Sequence, residues 1–322
     1  MTAPLTVLAI LGALVAGHQT VPAAAAGIMK LVVPVPPGGP NDILARLLAQ
    51  QLTRSRGGTV VVENRPGAAT VIGTEIAARA TADGSTLLIT SPPVFTIIPH
   101  VQTLTFDPLT ALEPVCRLVR FPTVIAVNET SPYRTLSELI GAARNKPGEL
   151  TLAGIGPVSL VQVAFEKLKR AADVDMTFVP YSGPALAVNA LLGRQVTSYF
   201  GNYTDVAAHL AAGKLRILAI ATRARIDLIP DVPTVAESGY SGYELDGWFG
   251  LFAPTKTPKP VTAELSQSFG AAMQEADVKS KLAGIGLYPD IVCGADFAGL
   301  VRKEYDDYGT IIRAAGIKPN GS

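Results

Sequence analysis

Residues 32–42 read VVPVPPGGPND, and the rest of the fold can be worked out from this stretch. Its front end belongs to a continuous apolar strand over Lys30–Val35. Its back end opens a helix over Asn41–Thr53, where Ile43, Leu44, Leu47, Leu48 and Leu52 make a stripe at helical spacing. Between strand and helix, Pro36 and Pro37 stiffen the turn, while Gly38 and Gly39 let the backbone approach a ligand with no Cβ in the way. Asn41 or Asp42 is available to cap the helix. A helix start presents unpaired N–H groups and the positive end of the helix dipole, which suits an anion. An ordinary Gly/Pro-rich βα turn would look the same, so this loop alone does not establish a site.

Working outward, short β-branched runs alternate with helical segments, the pattern of an α/β fold with largely parallel sheets. Val60–Glu63 and Thr86–Thr90 read as strands, and Glu113–Val119 and Thr123–Val127 as strands leaving this first unit. The alternation restarts with a helix at Thr135–Asn145, a strand at Leu150–Ala153 and a helix at Ser159–Ala171. Pro and Gly punctuation over Ile229–Gly242 closes the second unit. Trp248–Ala253 is then a strand, followed by helical patterns over Pro260–Glu275 and Phe297–Ala315. This order predicts a discontinuous lobe, 27–127 plus 247–322, with 128–246 inserted as a second lobe. The chain would cross between lobes near Val127 and Gly247, and a ligand would lie between them.

The inserted unit has a loop of the same kind, LAGIGPVS at 152–159. Gly154 and Gly156 free the backbone, and Ser159 can cap the following helix or offer its hydroxyl to a carboxylate. No GK[ST] follows, so this is not a phosphate-cradling nucleotide loop, and no G-x-G-x-x-G is present to bind a dinucleotide.

Composition narrows the function. The formal net charge of +1 over 322 residues leaves no basic footprint for nucleic acid. Leu5–Gly17 is almost wholly apolar and precedes VPAAAAG at 21–27, so residues 1–26 are expected to be a cleaved signal peptide, although no Lys or Arg precedes the apolar run. No later stretch approaches the roughly 18 apolar residues of a membrane span. Cys116 and Cys293 show no metal-ligand spacing, and two separate buried thiols are favoured over a disulfide. No cofactor and no metal are expected. There is no G-x-S-x-G elbow, and the three histidines leave few nucleophile–base pairs, so catalysis is disfavoured. Arg65, Trp248, His209 and His100 read as turn, core, surface and loop residues in that order.

Several segments together resemble one family. They are VVPVPPGGPNDILARLLAQ, VVVENRPGAATVIGTEIAARATADGSTLLIT, FDPLTALEPV, VPYSG, AGKLRILAIAT, DVPTVAESGY, YELDGWFGLFAPTKTP and IIRAAGIK. In order and spacing, over about residues 28–318, they are similar to the Bug receptors, the periplasmic solute-binding components of tripartite tricarboxylate transporters. The resemblance implies a two-lobed, type II periplasmic-binding architecture with a hinged cleft. It also implies a site formed by Pro37, Gly38, Gly39 and Asp42 on one lobe, with Ser91 and Pro92 nearby. On the other lobe it implies Gly154, Ile155, Gly156, Pro157, Val158 and Ser159, completed by Tyr181, Gly201 and Asn202. The expected partners are a small carboxylate and the membrane permease subunits, with the receptor itself a monomer in the periplasm.

Two departures from the family bear on the ligand. Ile155, Pro157 and Val158 are bulkier and less polar than the Ser, Gly and Asn common there. Gly201-Asn202 stands where many relatives carry Asp-Asn, which tilts the expectation from amino acids toward mono- or dicarboxylates with an apolar or aromatic body. The other functions weighed are an exported enzyme using the same cleft and a sensor presenting its ligand to a membrane signalling partner.

Overall fold

The computed structural model describes residues 27–318 apart from Pro157. The expected signal segment 1–26 and Pro157 therefore lie outside the described residues. The first run of elements is β1 (Met29–Val33), α1 (Pro40–Arg56), β2 (Val60–Asn64), α2 (Val71–Ala78), β3 (Thr86–Thr90), short helices α3 (Pro93–Thr96), α4 (Ile98–Val101) and α5 (Pro108–Ala111), and β4 (Leu112–Phe121). The second is β5 (Thr123–Asn128), α6 (Leu136–Asn145), β6 (Thr151–Ile155), α7 (Leu160–Ala172), β7 (Thr177–Tyr181), α8 (Pro184–Leu192), β8 (Ser198–Asn202), α9 (Tyr203–Ala211) and β9 (Leu215–Ile220). The chain ends with β10 (Gly247–Pro254), α10 (Lys259–Gln274), α11 (Ala276–Gly284), β11 (Tyr288–Cys293) and α12 (Gly294–Ala315).

Two sheets result. One has six strands in the order β11-β4-β10-β3-β1-β2, the other five in the order β7-β6-β8-β5-β9. The first sheet buries Leu31, Val33, Leu87, Ile89 and Leu251 against the α1 stripe Leu44, Leu48 and Leu52. The second buries Ile125, Leu152 and Phe200 against Val163, Phe165 and Leu168 of α7. Thr123–Val127, expected to leave the first unit, instead lies in β5, which pairs with β8 and β9 in the second sheet. The break comes at Pro122, which has no N–H to carry the β4–β10 ladder on into β5.

The last helix joins both sides. Phe297 and Val301 near its start pack with Trp248, Phe95 and Phe252. Tyr308 and Ile312 near its end join the core around Phe165 and Tyr243. The two cysteines, favoured from sequence as separate thiols, are bonded to each other, because β4 and β11 are neighbours that place Cys116 opposite Cys293 in register.

Register fixes where the loops point. Strands β4 and β3 both run antiparallel to β10, so the carboxyl ends of β1 and β3 lie at the end of the sheet where β4 leaves at Phe121. In the second sheet Asn202, at the carboxyl end of β8, pairs with Thr123 at the start of β5. Strands β6 and β7 run parallel to β8 and end on the same side. Both sets of strand-to-helix loops therefore face the crossing between the sheets.

Candidate functional site

On the first sheet, Pro37 and Gly38 are exposed where β1 gives way to α1, and Gly39 is the residue that caps the helix. The sequence reading gave the cap to Asn41 or Asp42. Pro40, pre-set for the first helical position, moves the start forward and leaves both inside the first turn. Gly38 has φ +93°, a left-handed conformation that other residues enter only with strain, and a Cβ on Gly38 or Gly39 would meet nothing within 4 Å. The space over this loop is open.

Asp42 lies beneath the loop, buried, with its carboxylate occupied within the chain. It accepts hydrogen bonds from Gly38 N (2.9 Å), Arg46 Nε (2.9 Å) and Asn64 Nδ2 (2.9 Å). Burial alone would raise its pKa, but the donors from Arg46, Gly38 and Asn64 outweigh it and hold the carboxyl below its ordinary value. Its role in this arrangement is to shape the loop. Ser91 is half-buried after β3, and Pro92 is buried, its carbonyl accepting from Phe95 N at 2.9 Å and Thr96 N at 3.0 Å.

On the second sheet, Ile155, Gly156, Val158 and Ser159 are half-buried at the carboxyl end of β6. Gly156 N donates to Tyr181 O at 2.8 Å, which ties this loop to the end of β7. Gly156 has φ +63° and open space around a would-be Cβ. Ser159 caps α7, its hydroxyl oxygen accepting from Gln162 N at 3.2 Å.

Two of the expected site glycines have another reason to be there. A Cβ on Gly154 would lie 2.5 Å from Phe178 and 2.8 Å from Val161, so this glycine lets β6 pack against its neighbours. A Cβ on Gly201 would lie 2.0 Å from the Tyr199 hydroxyl. That hydroxyl donates to Asp205 Oδ2 at 2.7 Å, and the same oxygen accepts from Asn202 N at 3.2 Å. Burial pushes both Tyr199 and Asp205 upward. The β8–α9 turn therefore keeps its carboxylate turned inward on a tyrosine. Asn202 is half-buried at this turn, next to the crossing.

Within each sheet the structure thus gathers the expected residues at adjacent strand ends. Among the described residues no hydrogen bond or ion pair joins the two groups. The crossing itself carries polar contacts that the sequence did not disclose. Thr123 Oγ1 donates to Leu245 O (3.0 Å), Arg120 reaches Asp246 (2.9 Å), and Trp248 Nε1 donates to Glu304 (3.0 Å).

A family model described as "Tripartite tricarboxylate transporter family receptor" matches residues 44–317. The chain belongs to this family. Among its receptors, it is 33% identical to protein BugT of Bordetella pertussis over 294 residues, 90% of each chain. It is similar in structure to Rpa4515 of R. palustris with adipate, at 31% identity and TM-score 0.77, covering 92% of this chain and 99% of that one. It is likewise similar to MatC (Rpa3494) from Rhodopseudomonas palustris with bound malate, at 28% identity and TM-score 0.71, covering 89% and 99%. As in other receptors of the family the architecture is a two-lobed α/β one, and no helix among the described residues is long and apolar enough to cross a membrane.

Sequence reasoning missed Gln162, Asn64 and Arg46 as residues that brace the loops. Two of them carried a legible signal. Ser159-x-x-Gln162 is a capping-box pattern, and Asp42 and Arg46 stand four apart on one helix face.

Proposed function

We propose that this chain is an exported, monomeric receptor that captures a small mono- or dicarboxylate between its lobes and presents it to the membrane subunits of a tripartite-type transporter. One observation carries the reading. Both sets of strand-to-helix loops, with open glycines at Gly38, Gly39 and Gly156, face the same interlobe crossing. Helix α7, capped by Ser159, offers one end of a ligand first-turn N–H groups and a hydroxyl without a buried cation. Adipate and malate in the related receptors support a carboxylate. The absence of a free side-chain carboxylate at Gly201-Asn202 disfavours amino acids, whose ammonium group would need one.

The division into lobes that we propose follows the sheets, 27–121 with 247–293 against 123–246, α12 spanning both. Catalysis has little to work with. Both cysteines are in the disulfide, and His100 Nε2 lies 2.8 Å from Tyr305 O.

A thermal-shift screen of protein starting near residue 27 tests the function, using short and long dicarboxylates, aromatic acids, citrate and amino acids. A ligand bound only by the folded state raises the melting temperature. The expected result is a clear shift with one class of carboxylate that is reduced in Ser159→Ala. Shifts with amino acids alone, or turnover of a carboxylate, would reject this reading.

A further inference from the structure

Val158 sits at φ +56°, a left-handed conformation that is unusual for a β-branched residue and has to be held in place. The residue that holds it lies one turn into α7. Gln162 Oε1 accepts from Val158 N at 2.7 Å, while Gln162 N donates to Ser159 Oγ at 3.2 Å. A backbone N–H needs an acceptor, so the amide must present its oxygen here and the orientation of the side chain is settled. In the usual capping box the side chain returns to the N–H of the cap residue itself. Here it reaches one residue further back, and among the described residues the Ser159 N–H has no hydrogen-bond partner.

This clamp decides which donors remain for a ligand. Gly156 N is committed to Tyr181 O and Val158 N to Gln162. Residue 157 is a proline, with no N–H to give. Among the described residues the donors that remain are those of the first turn, the N–H groups of Ser159, Leu160 and Val161, together with the Ser159 hydroxyl proton, whose oxygen is already accepting from Gln162. A carboxylate has oxygens to match that set.

Charge is the second half of the argument. A glutamate at 162 would accept the same bond and would gain from the positive helix end, the usual reason for an acid at this place. It would also put a fixed negative charge beside the N–H groups an anion must use, with no basic side chain hydrogen-bonded to this loop among the described residues. Glutamine forgoes the dipole gain and leaves the helix start free for the ligand's charge.

We propose that Gln162 is the positioning residue of the second-sheet carboxylate site: its amide fixes Val158 and Ser159, and its neutrality admits an anion at the start of α7. The inference rests on the carboxylate-receptor reading above. The test compares wild type with Gln162→Glu and Gln162→Met for melting temperature and for affinity toward adipate and malate by titration calorimetry. Gln162→Glu is expected to melt at or above wild type yet bind the preferred acid at least tenfold more weakly, the loss shrinking as salt screens the charge. Gln162→Met, neutral but without the acceptor, should melt lower and also bind more weakly.

Glutamate binding as tightly as glutamine, or a Gln162→Glu protein melting well below wild type, would overturn the inference while leaving the receptor reading in place. A wild type that binds neither these acids nor any other carboxylate would overturn both.

Discussion

The loop after β1 is braced by a charged side chain and the loop after β6 by a neutral one, although both have the same job of presenting backbone at a helix start. Asp42 gathers Gly38 N, Asn64 Nδ2 and Arg46 Nε around one carboxylate. Gln162 holds Val158 with an amide oxygen. The difference follows from what surrounds each brace. Asp42 is buried and has Arg46 four residues on, so its charge is balanced locally and turned away from open space. Among the described residues no such cation is paired to the second loop, and a charged brace there would face the ligand position we propose. A negative side chain is tolerated beside a loop proposed to face an anion where the fold supplies its counter-charge.

Removing the charged brace should have the larger effect. Asp42→Ala strands a backbone N–H, an amide and a guanidinium, and we expect about 3 kcal/mol of lost stability in chemical denaturation. Asp42→Asn should cost less. The two also separate by pH. A carboxyl held below its ordinary value contributes stability above that value and loses it as pH falls through the depressed one. Wild type should therefore weaken below about pH 4 by a component that Asp42→Asn lacks. Equal acid sensitivity in both proteins would mean that Asp42 does not carry the first loop.

A smaller effect separates glycines that serve packing from glycines that serve the ligand. Gly154→Ala drives a methyl into Phe178 and Val161, and roughly 2 kcal/mol should be lost, in proportion to the overpacking. Gly156→Ala meets open space and bears only the left-handed penalty, about 1 kcal/mol, but fills space that we assign to the ligand. Melting temperature should thus fall further for position 154, and carboxylate affinity further for position 156. If the two variants rank the same way in both measurements, Gly156 does not face the ligand.

Much of this was legible in the chain and some was not, for physical reasons. The alternation of apolar runs with helical stripes gave the two α/β units, since periodicity is local. The loops at 36–42 and 154–159 stood out because Gly and Pro punctuate backbone. The pairing of β5 was hidden, because a strand reads the same whichever sheet it joins, and only Pro122 marked the crossing. Gly154 and Gly201 looked like ligand glycines because a sequence cannot show the Phe178 ring or the Tyr199 hydroxyl above them. The disulfide depends on β4 and β11 being neighbours, which links residues 177 apart.

Where the chain crosses between the two sheets a carboxyl is treated in a third way, its pKa raised by burial. Glu304 accepts Trp248 Nε1 at 3.0 Å where α12 passes from one lobe's core to the other's. Burial pushes its pKa up to about 8; Asp246 adds to this, and Trp248, Arg117 and Lys303 oppose it. An acid raised in the folded state contributes its stability fully below its unfolded value and loses it as pH climbs through the raised one, because the unfolded chain gives up the proton more readily. Glu304→Gln keeps an acceptor for Trp248 and cannot ionise. It should therefore be more stable than wild type at pH 8, by on the order of 1 kcal/mol, with the gap closing toward pH 5. Asp246, pushed up to about 6, leaves a residual slope in both proteins at the acid end of that range. Denaturation curves at pH 5, 6.5 and 8 read the difference directly. Parallel curves would mean that Glu304 is ionised and solvated in the folded protein, and a neutral brace would then be special to the loop we propose for the anion.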